Sequence, residues 1–175
     1  MKINNRAFTL VELLVVILII GILAAIAVPQ YKKAVLKANL HKGMPLVENL
    51  YQAQQAYVLT HGDFATDIDA LDITIPKDES CTKSQTERSS SYTCDFGKVG
   101  MWDFFANIQY IEPNGNLAYL HYIQDDHREE YNFNMNAGEV WCYAAPKNKT
   151  AQDICVGMGG SLESDDYSWK RYKIR

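Results

Sequence analysis

The chain has 175 residues, of which 47% are hydrophobic and 22% are charged, and its formal net charge is −4 at pH 7. These averages exclude a polytopic membrane protein, a collagen-like repeat and a disordered acidic tail, and the negative charge argues against a general nucleic-acid coat. They do not exclude a single membrane span, because an average says nothing about where the apolar residues lie.

A long apolar run lies near the amino terminus. Residues 13–28 contain no charged side chain, and the run extends back to Phe8 with only one threonine and one glutamate in between. A helix needs about 20 mostly apolar residues to cross a bilayer. The segment before the run carries Lys2 and Arg6 and no acidic residue, so the positive-inside rule predicts that it stays in the cytoplasm and that the rest of the chain faces outward.

Two interpretations of this run compete. As an ordinary signal peptide, it would be cut after Ala27, where Ala25-Ile26-Ala27 offers a small-residue cleavage site. As a retained anchor, it would carry Glu12 into the membrane at a cost of roughly 2.5–3.5 kcal/mol. That carboxylate needs a partner cation, and the span contains none.

Residues 6–16, RAFTLVELLVV, resemble the class III signal sequence of type IV pilins and type II secretion pseudopilins. The resemblance implies that a prepilin peptidase cuts between Ala7 and Phe8 and then methylates the new terminal residue, Phe8. The family usually has Gly at the position of Ala7. The resemblance also implies that Glu12 pairs with the terminal amine of a neighbouring subunit during assembly, which would supply the missing cation.

A long helix is predicted to follow. Gly21, Pro29 and Tyr31 fall where many pilins have the same residues, so the resemblance extends to about Lys37. Apolar residues then recur with the 3.6-residue helical period and continue the helix to near Thr60. At about 1.5 Å per residue such a helix is about 80 Å long.

Three points along this helix carry specific expectations. Pro29 removes a backbone donor and is predicted to bend the helix. The stretch His41–Pro45 is a second weak point, where a break is predicted as an option. Residues 61–63, His-Gly-Asp, are predicted to end the helix.

The region over residues 61–100 is rich in turn-forming and polar residues. Residues 66–71 are predicted to form a short capped helix, and Ile73–Pro76 a short edge strand. Residues 80–92 are predicted to be a polar surface loop of the kind that pilins carry between helix and sheet.

Four strands with local turns predict an antiparallel meander, and Asn114-Gly115 is a strong hairpin signal between the first two strands. The predicted strands are 101–111, 117–123, 131–135 and 140–144. A helix followed by a meander is an α+β layout, with the long helix packed on a four-stranded sheet, and the resemblance implies the same pilin-like fold. The predicted organisation is a leader at 1–7, a membrane-spanning or filament-core helix at 8–29, an amphipathic half at 30–60, a variable loop region at 61–100, and the meander with a disulfide loop at 101–175.

Four cysteines, Cys81, Cys94, Cys142 and Cys155, form two equally spaced pairs and no C-x-x-C motif, so a zinc or thioredoxin-like site is not predicted. The predicted orientation places them outside the cytoplasm, where disulfides persist. Three pairings are open, and we favour the local one, Cys81–Cys94 with Cys142–Cys155. A carboxy-terminal loop closed in this way resembles the D-region of pilins.

Two groups of metal-type ligands occur in the second half of the chain, and for both we favour solvated loops. The groups are His121, Asp125, Asp126 and His127, and Glu163, Asp165 and Asp166 beside Gly159-Gly160. The calcium-loop pattern D-x-[DN]-x-[DN]-G is missing. We therefore predict no metal and no cofactor.

No enzyme is predicted, because the common serine-hydrolase, zinc-protease and P-loop motifs are missing from the sequence. Asp103 and Glu112 could be offered as paired carboxylates, but nothing in the sequence places them together. The sequon Asn148-Lys149-Thr150 is attributed to chance. Residues 169–175 carry four basic residues among aromatics. This composition could bind DNA, but we favour a last edge strand guarded by basic side chains.

The resemblance implies a structural function for the chain, as a prepilin that is assembled into a type IV pilus or related filament through its amino-terminal helix. Its partners would be prepilin peptidase and identical or related subunits. It would lie in the inner membrane as a single-pass precursor and afterwards in an extracellular filament. The alternatives are a pseudopilin of a type II secretion system and a secreted or tethered binding module cut after Ala27.

Overall fold

A long amino-terminal helix packs against an antiparallel sheet, and a short second helix contacts both. The computed structural model describes residues 9–76, 78–102, 107–122, 136–165 and 168–175. The predicted α+β arrangement is confirmed. The predicted number of four strands is wrong, because the sheet in the described part of the chain has eight.

The first helix, α1, spans Leu10–His61 and has 52 residues, which gives a length of about 78 Å. It ends where the sequence predicted. Gly62 adopts a left-handed backbone with φ of 80°, and its N–H donates to the carbonyl oxygen of Val58 at 2.8 Å. A residue without a Cβ adopts this conformation without steric cost, so Gly62 is a natural stop for the helix.

Two prolines, Pro29 and Pro45, lie inside α1 without ending it. The break predicted over His41–Pro45 is therefore wrong. The turns on either side of Pro45 are held by packing, because Leu40 and Val47 are fully buried against the sheet. This burial offsets the loss of one helical hydrogen bond. The bend at Pro29 stays a prediction.

The sheet is antiparallel throughout, with the order β1-β2-β3-β4-β5-β6-β8-β7. The strands are β1 (Thr82–Gln85), β2 (Ser89–Cys94), β3 (Gly97–Trp102), β4 (Asn107–Ile111), β5 (Leu117–Tyr122), β6 (Val140–Ala144), β7 (Ser161–Asp165) and β8 (Lys170–Lys173). The second helix, α2, spans Lys149–Gly157 between β6 and β7.

Most of the unpredicted strands are polar. The strands β1 and β2 read TKSQ and SSSYTC, and every residue of β1 is exposed. Alternation of apolar and polar residues is the sequence signal for a strand, and these segments do not have it. Backbone pairing across β1, β2 and β3 forms the ladder instead, so the polar loop predicted over residues 80–92 is wrong.

The carboxy-terminal strand β8 lies between β6 and β7. The prediction of a last edge strand is therefore wrong. The edge position is taken by β7, which reads SLESD and was not predicted because it has no apolar alternation. The strand predicted at residues 131–135 lies outside the described residues.

The segment after α1 holds a single turn of 3₁₀ helix, Ile68–Ala70, where a short helix was predicted. Its cap is Asp67, whose side chain accepts a hydrogen bond from the backbone N–H of Asp69 at 3.0 Å. The edge strand predicted over Ile73–Pro76 is wrong. Ile75 lies in a loop and is buried in the core. Its apolar side chain therefore reflects burial in a loop, and not the alternation of a strand.

The predicted Asn-Gly hairpin joins β4 to β5, with Gly115 at a φ of 67°. Its loop is organised by Glu112, which is 1% exposed. The carboxylate of Glu112 accepts hydrogen bonds from the backbone N–H groups of Asn114 and Asn116 at 3.0 and 2.7 Å. This candidate carboxylate is therefore used to hold a turn, and its proposed partner Asp103 lies outside the described residues.

The core lies between the second half of α1 and the sheet. The helix approaches β4 so closely at Gly43 that a Cβ there would lie 2.0 Å from Cγ of Tyr110. About three turns further along, Gln54 is 3% exposed and forms two hydrogen bonds with the backbone of Ala65. Its Nε2 donates to the carbonyl oxygen at 2.9 Å, and its Oε1 accepts from the N–H at 3.2 Å.

Two local disulfides each join cysteines that are 13 residues apart in the chain. Cys81 is bonded to Cys94 at the end of β2, and Cys142 in β6 is bonded to Cys155 in α2. Cys142 and Cys155 are both completely buried. The second bond therefore fixes α2 onto the sheet from within the core.

We expect Gly43→Ala to lower the free energy of unfolding by about 1–3 kcal/mol, since the added methyl group collides with the Tyr110 ring. Chemical unfolding of the full chain in detergent would measure this. The control is Gly157→Ala, which also lies in a helix and has open space around its Cβ position. Equal stability of the two variants would contradict the close packing of α1 on β4.

We expect loss of either disulfide to destabilise the chain by about 3 kcal/mol from loop entropy alone. The Cys142→Ala/Cys155→Ala variant should lose more than Cys81→Ala/Cys94→Ala, because its sulfur atoms lie in the core and leave a cavity. Comparing the two unfolding midpoints checks this. A larger effect at Cys81 and Cys94 would contradict the assignment of α2 to the core.

Candidate assembly site

The first half of α1 projects away from the rest of the protein. Every residue over 9–35 is exposed, and the large apolar side chains in this stretch are between 37% and 76% exposed. The helix is long and apolar enough to cross a membrane, and none of its most apolar window is buried. Within the described residues no segment covers this surface. An apolar surface of this extent indicates contact with lipid or with other chains.

The amino-terminal end of α1 is closed by a capping box. Thr9 is the N-cap residue, and its Oγ1 accepts from the backbone N–H of Glu12 at 3.3 Å. In return, Oε2 of Glu12 accepts from the backbone N–H and from the hydroxyl of Thr9, both at 2.8 Å. The carboxylate also sits at the positive end of the helix dipole, which favours a negative charge.

The sequence interpretation missed this role of Glu12. The signal was present as the T-x-x-E spacing of Thr9 and Glu12, which is typical of a capping box. The cap satisfies hydrogen-bonding groups, but it supplies no positive charge. No cation among the described residues pairs with Glu12, so in this part of the chain the cap orients the carboxylate without a positive side chain beside it.

The processing residues Ala7 and Phe8 lie outside the described residues. Pro29 follows directly after the apolar run, within the uninterrupted α1. Asn148, the first residue of the sequon, is the N-cap of α2, and its Oδ1 accepts from the N–H of Ala151 at 3.1 Å. This asparagine therefore has a structural role.

The first group of metal-type ligands is not assembled in the described part of the chain. His121 is buried on β5, where its ring stacks on Tyr51 of α1 with 3.6 Å between ring centroids. Its Nδ1 lies 3.5 Å from Oε2 of Glu48. Burial lowers the pKa of His121, although the nearby Glu48 carboxylate opposes this shift. The histidine thus joins α1 to the sheet, and Asp125, Asp126 and His127 lie outside the described residues.

The second group also serves local contacts. The carboxylate of Glu163 accepts from the hydroxyl of Ser161 at 2.9 Å, and that of Asp165 pairs with Lys170 at 3.0 Å, while Asp166 lies outside the described residues. Over the described ranges no three histidine, cysteine or acidic side chains are close enough to hold a metal ion together.

The basic tail is engaged with carboxylates. Besides Lys170, Lys173 pairs with Glu139 across the sheet at 2.5 Å. Burial alone raises the pKa of Glu139, but hydrogen bonds from Lys173, Asn136 and Trp141 outweigh it and lower the pKa to about 2. These lysines are therefore held within the fold, which weakens the case for DNA binding by the tail.

Residues 2–28 match the family described as "Prokaryotic N-terminal methylation motif". The chain is 40% identical over 60 residues to a "Fimbrial protein" of Neisseria meningitidis serogroup B, which covers 34% of this chain and 35% of that protein. It is 40% identical over 68 residues to the "Type IV major pilin protein PilA" of Myxococcus xanthus, covering 37% and 31% of the two chains. It is 40% identical over 70 residues to the "Type IV major fimbrial protein FimA" of Dichelobacter nodosus, covering 40% and 43%.

The similarity to these relatives spans about a third of their length. No solved structure matches the chain. The methylation motif lies on the same residues as the capped and uncovered half of α1, and the helix continues into an α+β head. Residues 2–28 therefore carry the prokaryotic N-terminal methylation motif, and the amino-terminal third of the chain is similar to type IV major pilins and fimbrial proteins.

Proposed function

We propose that the chain is the precursor of a structural subunit of a type IV pilus. Residues 1–7 form a leader that prepilin peptidase removes, and Phe8 becomes the N-methylated first residue. The observation that carries the proposal is the exposed apolar half of α1, whose first turn carries Glu12, a capped carboxylate with no cation beside it among the described residues. The proposed role is structural and involves no catalysis.

In this proposal, the apolar half of α1 lies first in the membrane and then in the filament. In the precursor, residues 8–29 cross the inner membrane with the head outside. In the filament, the same side chains pack against the helices of neighbouring subunits, so lipid contacts are exchanged for protein contacts of similar polarity. One repeated head-to-tail contact that does not close on itself generates an open helical polymer.

The charge of Glu12 fixes how far neighbouring subunits are shifted relative to one another along the filament. A buried carboxylate is costly unless a cation neutralises it, and cleavage before Phe8 creates a new terminal amine only four residues away in sequence. In the proposed filament the amine of one subunit lies beside Glu12 of the next. The capping box supports this arrangement, because Thr9 holds the carboxylate at the exposed tip of α1.

Two alternatives have less support. A pseudopilin of a type II secretion system would share the motif, but the relatives are named as fimbrial proteins and major pilins. A secreted or tethered binding module would be cut after Ala27. That cut would remove the motif over residues 2–28 almost entirely, and the capping box of Thr9 and Glu12 with it.

The first test concerns processing. In a bacterium with a prepilin peptidase, intact-mass measurement of the mature protein should give a chain that begins at N-methyl-Phe8. The Ala25→Leu/Ala27→Leu variant removes the small residues that an ordinary signal peptidase needs, and it should give the same mass shift from its own precursor. A mature chain beginning at Val28 would exclude the proposed function.

The second test separates the charge of Glu12 from its capping role. Glu12→Gln can still accept hydrogen bonds at the cap but has no charge, whereas Thr9→Ala keeps the charge and costs about 1 kcal/mol of helix stability. We expect Glu12→Gln and Glu12→Ala to reduce the yield of sheared filaments at least tenfold at unchanged membrane levels, and Thr9→Ala to leave most of the yield. The reverse pattern would contradict the pairing of Glu12 with a terminal amine.

A further inference from the structure

A groove of about 620 Å³ lies at the base of the head, where α1, α2 and the carboxy-terminal residues meet. Its floor is apolar and includes Leu40, Met44, Ile154 and Met158. Its rim is basic and includes Lys33, Lys37 and Arg175. An apolar floor beneath a cationic rim is complementary to an anionic amphiphile, which has a negative head and an apolar body.

The groove lies at a defined height on α1. Lys33 follows Val28, the last residue of the apolar run, by five positions, which is about 7.5 Å along the helix axis. The polar headgroup region of a bilayer extends about 5–8 Å beyond the hydrocarbon core on each side. Lys33 therefore lies at the level of the lipid headgroups when the apolar run crosses the membrane, and Lys37 lies one turn above it.

The charge of the rim is only partly compensated. Lys33 and Lys37 make no ion pair with any of the described residues. Asp153 on the opposite wall lies close enough to Lys33 for its pKa to be lowered by that charge, but its main partner is Lys149, with 2.9 Å between Nζ and Oδ1. Two lysines are thus left for a ligand.

The remaining rim cation, Arg175, is 3.7 Å from Oε1 of Glu48 and is mostly exposed. That carboxylate is already occupied, because it accepts a hydrogen bond from the hydroxyl of Tyr119 at 2.6 Å. Burial, together with this hydrogen bond, raises the pKa of Tyr119 above its usual range. The acidic side chains near the groove are therefore paired with other groups, and the net charge of the rim is positive.

We propose that this groove binds an anionic phospholipid of the outer leaflet while the subunit is in the membrane. The phosphate lies between Lys33 and Lys37, and the glycerol and upper acyl chain lie against the apolar floor. The inference rests on the proposed function, because it requires the apolar run of α1 to be in the bilayer. The lipid fixes the height and rotation of the head above the membrane, since the residues of α1 that line the groove, among them Lys33, Lys37 and Leu40, recur with the helical period on one face.

The test uses the full mature chain in vesicles of phosphatidylcholine and phosphatidylglycerol. Spin-labelled lipids of either type report which lipid is immobilised at the protein. We expect phosphatidylglycerol to be preferred at least fivefold, because each lysine near an anionic surface changes association about fivefold. The preference should fall to near one in Lys33→Gln/Lys37→Gln, and it should weaken as salt is raised.

The control is Lys32→Gln/Lys42→Gln. Lys32 lies one residue before Lys33, and Lys42 lies about 7.5 Å above Lys37 along the same helix. Neither lysine lines the groove, so the preference should be retained. If both double variants lose the preference for phosphatidylglycerol equally, the lipid is attracted by the basic residues around α1 in general, and the proposed binding in the groove is overturned. No preference in the wild-type chain would overturn the proposal outright.

Two further measurements separate the remaining explanations. If inorganic phosphate displaces the immobilised phosphatidylglycerol as well as excess lipid does, the site takes a free anion and the proposal of a lipid is overturned. Extraction of the chain from the vesicles by alkaline carbonate would overturn membrane insertion, and with it both the proposed function and this inference. An inserted chain without lipid preference would overturn the inference alone.

Discussion

The whole structure depends on one helix that lies in two different surroundings. From Leu10 to Val35 the apolar side chains of α1 are exposed, and from Leu36 to Gln54 the buried positions recur with the helical period and face the sheet. Burial of apolar surface is the main favourable term in folding. The head buries apolar side chains of the second half of the helix only. The apolar side chains of the first half can be buried only against lipid or against neighbouring helices.

The position of the head on α1 is fixed by specific contacts rather than by apolar burial alone. The close approach of Gly43 to Tyr110 sets the distance between helix and sheet. Glu48 adds a polar contact to β5, and the reciprocal hydrogen bonds of Gln54 with Ala65 fix the chain as it leaves the helix. A buried polar group without a partner costs about 1–3 kcal/mol, so such contacts disfavour other registers of the helix on the sheet.

The parts of the fold with strong apolar patterns could be predicted from the sequence. The apolar run, the stop at Gly62 and the Asn-Gly hairpin at Gly115 each follow from a local physical rule. The polar strands β1, β2 and β7 could not be predicted, because their own side chains show no strand pattern. These strands are held in the sheet by backbone pairing with neighbouring strands. At the candidate site, the need of Glu12 for a cation was evident from the sequence, whereas its cap on Thr9 was overlooked.

Because α1 is continuous, a tilt of its amino-terminal half moves the head at its other end. No residue between Leu10 and His61 ends the helix, and helices that cross membranes tilt by about 20° on average. Over a length of about 78 Å, a tilt of that size displaces the far end sideways by about 27 Å. In the proposed precursor and filament, small changes in bilayer thickness or in the packing of neighbouring helices around the apolar half are therefore amplified into large lateral movements of the sheet and its disulfide-bonded loops.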